Sequence, residues 1–100
     1  MLHSVYFYLK STCSKEDKEM FLKGLTSLKN VPSAEFVYIG TPSSTKRPSI
    51  DDSYDYALLT HFKSLKEHDE YQVDPIHKKF VDDCSPYWES VKVYDFDELL

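Results

Sequence analysis

The segment Tyr71–His77, with the sequence YQVDPIH, is the densest cluster of side chains that could do chemistry. If Asp74 caps a helix whose first residue is Pro75, the Asp74 carboxylate can accept a hydrogen bond from a backbone N–H of the first turn. The positive helix end favours a neutral His77 imidazole, which can act as a general base, whereas the charge of Asp74 favours the imidazolium. The sequence leaves this balance open. It also allows the alternative that His77 is a surface residue and Tyr71 a core residue.

A second histidine, His3, stands at the start of an alternating apolar pattern. It shares one strand face with Val5, Phe7 and Leu9, so we expect it to point toward the helices. On such a face, His3 is either a core histidine with satisfied hydrogen bonds or, if it meets His77 in one pocket, a further catalytic residue.

The two remaining histidines have weaker functional signals. His61 shares a strand face with Ala57 and Leu59 and is predicted to lie at an interface between copies of the chain, whereas His68 is predicted to be a solvated helix residue. Their spacing does not define a metal site. The sequence has no Cys-x-x-Cys pair, no His-Glu-x-x-His motif and no glycine-rich phosphate loop, so no metal and no cofactor are expected.

The elements that must position these residues follow from hydrophobic patterning and helix-start signals. Capping-box patterns begin helices at Ser14 and Ser64, and a third helix begins at Asp74–Pro75 and runs to about Cys84. Strands are predicted over residues 2–10, 35–41, 54–62 and 88–96. The order β-α-β-β-α-α-β predicts an α+β, ferredoxin-like fold: a four-stranded antiparallel sheet with helices on one face.

Every predicted strand carries apolar or aromatic side chains on both faces, but the helices can cover only one. We therefore expect a second copy to pack against the other face and form a homodimer. The alternative is a tyrosine-rich face that stays half solvated. The residues predicted for the dimer interface are Tyr6, Tyr8, Leu59, His61 and Tyr94.

Length and charge exclude several classes of function. A chain of 100 residues is expected to form a single domain over residues 1–100. Its 12 basic and 17 acidic side chains give a net charge of -5, which argues against nucleic-acid binding because such proteins need a basic surface. No apolar stretch approaches the ~20 residues of a membrane span, so no membrane contact is expected. The first residues are typical of a strand and not of a signal peptide, which predicts a cytoplasmic location.

Four segments together carry a resemblance to a known family. They are His3-x-Val5-x-Phe7-x-Leu9-Lys10, residues 47–55 (RPSIDDSYD), Asp69-x-Tyr71-Gln72-x-Asp-Pro75-x-His77-x-x-Phe80, and Trp88-x-x-Val91-x-Val93-x-Asp95. In order and spacing they resemble the stress-responsive A/B barrel (Dabb) domain over nearly the whole chain. The resemblance implies a dimeric α/β barrel, in which two ferredoxin-like sheets face each other.

The resemblance leaves three functions open. The protein binds a small apolar or aromatic molecule between sheet and helices, or it is a cofactor-free lyase or cyclase, or it is a non-catalytic, stress-protective structural dimer. In a polyketide-cyclising member of the family, the essential tyrosine and histidine match Tyr71 and His77, and a further pocket histidine matches His3. This implies that His77 removes an acidic proton while the Tyr71 hydroxyl stabilises the enolate.

The same resemblance implies a ligand pocket between the sheet and the helices. The side chains expected to line it are Val5, Phe7, Phe21, Tyr56, Leu58 and Val91. Two positions depart from the relatives: Asp74 stands where many have histidine, and Tyr56 stands where the cyclase has a pocket histidine.

Overall fold

The computed structural model describes residues 1–100 and has the element order expected from the sequence. The strands are β1 (Leu2–Leu9), β2 (Phe36–Gly40), β3 (Tyr56–His61) and β4 (Trp88–Phe96), and the helices are α1 (Lys15–Ser27), α2 (Leu65–Val73) and α3 (Pro75–Cys84). The strands form one antiparallel sheet in the order β2-β3-β1-β4. The predicted ferredoxin-like α+β fold is confirmed. None of the helices combines the length and the apolar character needed to cross a bilayer.

The helix starts follow the sequence signals, with one difference. At α1 the Ser14 hydroxyl accepts from the Asp17 backbone N–H at 3.0 Å, and the Asp17 carboxylate accepts from the Ser14 N–H at 2.9 Å, so this capping box is formed. At α2 the predicted box is wrong. The Ser64 hydroxyl donates to the Glu67 carboxylate, and no side chain caps a backbone N–H of the first turn.

Strand β3 begins two residues later than predicted, because Asp55 ends its pairing with β1. The Asp55 backbone N–H donates to the Phe7 carbonyl at 2.8 Å, and its carboxylate accepts from the Leu9 N–H at 2.7 Å. The side chain therefore takes the place of a further ladder partner for Leu9. Residues 54 and 55 belong to the loop that precedes the strand.

The helices cover one face of the sheet and enclose the core. Buried side chains from the sheet, the three helices and the first connection form one cluster: Val5, Phe7, Leu9, Phe21, Leu25, Leu28, Val31, Leu58, Phe62, Tyr71, Phe80 and Cys84. Helices α1 and α3 approach closely at Gly24, where an added Cβ would lie 2.4 Å from the Cys84 Sγ. A glycine at this position is what permits the approach.

The other face, which we call the open face, has no helix against it. The strand register places Tyr6, Tyr8, Leu59, His61 and Tyr94 on this face, as the alternation predicts. Large aromatic side chains remain exposed there, including Tyr38 at 68% and Tyr94 at 58%. The loop before β3 also lies here, because the Tyr54 ring is 5.0 Å from the Tyr6 ring.

Candidate functional site

The turn between α2 and α3 brings the two ends of the YQVDPIH segment together. Asp74 ends α2, its backbone N–H donating to the Tyr71 carbonyl at 3.2 Å, and it also begins α3, its carboxylate accepting from the Ile76 N–H at 2.8 Å. Pro75 is the first residue of α3, where its missing N–H costs nothing. The predicted N-cap is thus confirmed. The turn places the His77 ring centroid 4.6 Å from that of Tyr71.

Tyr71 is almost fully buried, with 1% of its surface exposed. Burial raises the pKa of its hydroxyl, and the Thr60 hydroxyl opposes this effect more weakly. The phenol is therefore neutral under ordinary conditions and can donate a hydrogen bond. The Thr60 hydroxyl is itself buried; it is near enough to act on the Tyr71 hydroxyl but does not reach good hydrogen-bonding geometry with it or with any other group.

His77 lies on the first turn of α3 and is half-buried. Burial is the main cause that lowers the pKa of the imidazole, and His3 and His68 lower it further. The backbone of Gln72 and the charge of Asp74 act in the opposite direction. The balance that the sequence left open is thus decided by loss of solvation, and the ring is kept neutral and able to accept a proton.

His3 is buried on the helix-covered face, as its alternation predicts. Its Nδ1 lies 2.5 Å from the Asp95 Oδ1 on the neighbouring strand, and its ring centroid lies 6.1 Å from that of Tyr71. The third histidine of this group, His68, has its ring 5.3 Å from that of His3. Three histidines and one tyrosine thus meet in this part of the fold.

The prediction that His68 is solvated is wrong, since only 15% of its side chain is exposed. It packs edge-on against Phe62, with ring centroids 5.5 Å apart, on the side of α2 that faces the sheet. The signal was present in the sequence: His68 precedes Tyr71 by three positions, a spacing that places both on one face of a helix.

A cavity of about 310 Å³ lies between the sheet and helices α2 and α3. Its lining consists of His3, Val5, Phe7, Leu58, Tyr71, Gln72, His77, Phe80, Val81, Trp88, Val91 and Val93. The expected catalytic residues and four of the expected pocket residues therefore meet here. Phe21 and Tyr56 do not line this cavity; Phe21 is fully buried, and its ring packs against Tyr56 with centroids 5.5 Å apart.

Among the lining residues that the sequence analysis did not predict to line a pocket, Gln72, Phe80 and Val81 come from the two helices that flank the cavity. Phe80 is one helical turn after His77, so periodicity could have found it. Trp88 and Val93 come from β4, whose register against β1 requires pairing across the whole chain.

Solved structures of other proteins share this fold. A Dabb family protein with a ferredoxin-like fold from Mesorhizobium loti has a TM-score of 0.78 and 23% identity, over 98% of this chain and 95% of that one. A dimeric ferredoxin-like protein of unknown function from Thermobifida fusca has a TM-score of 0.77 and 18% identity, over 95% and 87% of the chains. The hydroxynitrile lyase from Passiflora edulis has a TM-score of 0.75 and 20% identity, over 99% and 94%. At these identities the likeness concerns the fold.

No curated protein matches the sequence significantly. The sequence profile of the family described as Stress responsive A/B Barrel Domain, in contrast, matches residues 1–98. The match includes the strand that carries His3, the Tyr71–His77 segment and the strand that carries Asp95. The chain belongs to the stress-responsive A/B barrel (Dabb) domain family.

Proposed function

We propose that the protein is a homodimer that binds a small, mostly apolar or aromatic molecule in the cavity between the sheet and helices α2 and α3. The observation that carries this proposal is the composition of the cavity wall. Nine of its 12 lining residues are hydrophobic, and its polar groups include His3, Tyr71 and His77. An apolar enclosure with a few convergent polar groups is typical of ligand sites.

The size of the cavity limits the ligand. Its volume of about 310 Å³ is near the lower end of the range for ligand pockets, ≈ 300–1,000 Å³. It equals about ten water molecules at the ≈ 30 Å³ that each occupies in the liquid. A molecule of about ten non-hydrogen atoms, with an aromatic or branched apolar part and one oxygen to meet Tyr71 or His77, fits these dimensions.

The homodimer is proposed from the open face. Phe36, Tyr38, Tyr94 and Phe96 are all more than 40% exposed on this face, and no element of the same chain packs over them. Large aromatic side chains left exposed on both edges of one sheet face are typical of a protein–protein interface. Sheet-to-sheet packing of two copies would cover it on both chains at once. The fold neighbour from Thermobifida fusca is described as dimeric.

A more specific activity, cofactor-free proton abstraction with carbon–carbon bond cleavage or formation, is supported by the pairing of His77 with Tyr71. A neutral imidazole can remove an acidic proton, and a neutral phenol whose ring lies 4.6 Å away can donate to an oxygen that gains negative charge. The fold neighbour from Passiflora edulis is a hydroxynitrile lyase. The third alternative, a structural dimer without a ligand, would need no such cavity.

Mandelonitrile, an aromatic cyanohydrin, is a suitable substrate to test this activity, because its size of about ten non-hydrogen atoms matches the size of the cavity. In the proposed step His77 takes the hydroxyl proton, the bond to the nitrile carbon breaks, and benzaldehyde and cyanide form. Cyanide then receives the proton. We expect benzaldehyde release to fall to background in His77→Ala and to persist in Lys78→Ala, a change at an exposed position next in sequence. Equal release by both variants would contradict the role of His77.

Binding and assembly need separate measurements. Titration with benzaldehyde, followed by NMR, should shift methyl signals of Val5 and Leu58, and Val91→Phe should weaken binding because it fills the cavity.

Sedimentation velocity should find a dimer that Tyr94→Glu dissociates and Met20→Glu, an exposed change on α1, does not. A wild-type monomer at micromolar concentration would overturn the dimer, and an unshifted spectrum would overturn the ligand site.

A further inference from the structure

We propose that His3, His68 and Asp95 form a binding site for a divalent transition-metal ion beside the cavity. Each of the three residues offers one donor atom, and these atoms all lie within 4.8 Å of one another. Two imidazoles and one carboxylate are a donor set that zinc and related ions prefer. The inference concerns the protein alone and does not rest on the proposed function.

The three donor atoms must shift to reach the spacing that a bound ion requires: a pair at the 4.8 Å limit must approach by about 1.5 Å, and the His3–Asp95 pair must separate. Tetrahedral zinc with bonds of ~2.0–2.1 Å places its ligand atoms about 3.3 Å apart. The His3 Nδ1 and the Asp95 Oδ1 are 2.5 Å apart, so they must move about 0.8 Å away from each other. Asp95 can make this movement because its side chain is 40% exposed and lies on β4, an edge strand.

Asp69 is placed to orient the His68 ring without binding the ion itself. The Asp69 carboxylate lies 3.2 Å from the His68 Nδ1 and can hold a proton there. The lone pair is then on Nε2, which now faces the Gln72 side-chain amide at 3.3 Å. A metal-bound histidine usually donates its other ring N–H to a carboxylate or carbonyl, which fixes the tautomer.

Another histidine–carboxylate pair in the chain provides a comparison. The His61 Nδ1 lies 2.5 Å from the Glu35 Oε2, the same distance as in the His3–Asp95 pair. It belongs to no group of three potential ligands, and both side chains are about one-third exposed. The third donor and the burial of His3 distinguish the proposed site, which leaves one tetrahedral position open, as in catalytic rather than structural zinc sites.

The test is calorimetric titration of the chelator-treated protein with Zn²⁺ alone. We expect one ion per chain in the wild type and in Glu35→Gln, and an affinity lower by at least about tenfold in His68→Gln and in Asp95→Asn, since loss of even an outer-shell partner costs 10–100-fold. Affinity should also fall as pH is lowered, because protonated imidazole cannot bind the ion.

A second measurement on the wild type keeps the test independent of how the variants fold. Addition of Zn²⁺ should shift the NMR ring signals of His3 and His68 and leave those of His61 in place. The site is overturned if wild type and His68→Gln bind Zn²⁺ equally, if Glu35→Gln loses the ion as well, or if the ring signals of His61 move in place of those of His3.

Discussion

The hydrogen bond from the Ile76 N–H to the Asp74 carboxylate should be separable from the charge of Asp74 by two substitutions. Asp74→Ala removes both, and the loss of an N-cap costs ≈ 0.5–2 kcal/mol, typically ~1. For a domain of 60–100 residues, each kcal/mol lowers the Tm by roughly 4–8 °C. Asp74→Asn keeps a good N-cap acceptor, so we expect its Tm to stay within roughly 2 °C of the wild type.

The charge has a separate effect, on His77. Because the carboxylate of Asp74 raises the pKa of the imidazole against the lowering by burial, Asp74→Asn should lower that pKa further. The Tm from thermal unfolding, followed by circular dichroism, reports the contribution of the N-cap hydrogen bond. The pKa of His77 from NMR titration of its ring reports the effect of the Asp74 charge. Asp82→Asn, at an exposed position of α3, is the control. The reasoning is refuted if Asp74→Asn loses as much stability as Asp74→Ala, or if the pKa of His77 rises in Asp74→Asn.

Three further predictions concern the buried groups. Because folding lowers the pKa of His77 from 6.5, the unfolded state takes up the proton at a higher pH than the folded state does. The free energy of unfolding, measured by urea titration, should therefore decrease as pH falls below 6.5. This decrease should be smaller in His77→Gln. A Cβ added at Gly24 meets the Cys84 Sγ, and such overpacking costs about 1–3 kcal/mol, from which the ~1 kcal/mol that alanine gains in a helix is subtracted. Gly24→Ala should therefore destabilise by up to about 2 kcal/mol, and Gly24→Ala with Cys84→Ala should recover stability; a stabilised single variant would disprove the contact. Burial raises the pKa of the Cys84 thiol to about 11, so iodoacetamide at neutral pH should label Cys13 first and Cys84 only after unfolding; mass spectrometry would show the reverse order if this is wrong.

The parts of the fold that local signals encode could be predicted from the sequence. Alternation along β1 placed His3 on the helix side and Tyr6 on the open face, because side chains of a strand point to opposite faces in turn. The Asp74–Pro75 pair fixed the start of α3 to the residue, because the N-cap and the first helical position each favour those residue types.

The parts of the site that depend on distant pairing could not be predicted in this way. Asp95 reaches His3 only through the β1–β4 register, which no local pattern specifies. Phe21 was expected to line the pocket, but the way α1 sits on the sheet packs its ring against Tyr56 in the core. The Ser64 capping box matched its pattern, yet the hydroxyl donates to a carboxylate, because a short side chain has several competing partners.

The contact between His3 and Asp95 spans 92 positions of the chain. On a translating ribosome, the strand that carries His3 therefore emerges well before the aspartate that completes the cluster. A nascent chain therefore holds its central strand β1 without one of its two neighbours until β4 has been made. Long-range pairing of this kind slows folding and leaves strand edges unpaired meanwhile. Any chemistry of this cluster thus begins only after β4 has been made and has paired, and a chain that stops before β4 would carry His3, Tyr71 and His77 without Asp95.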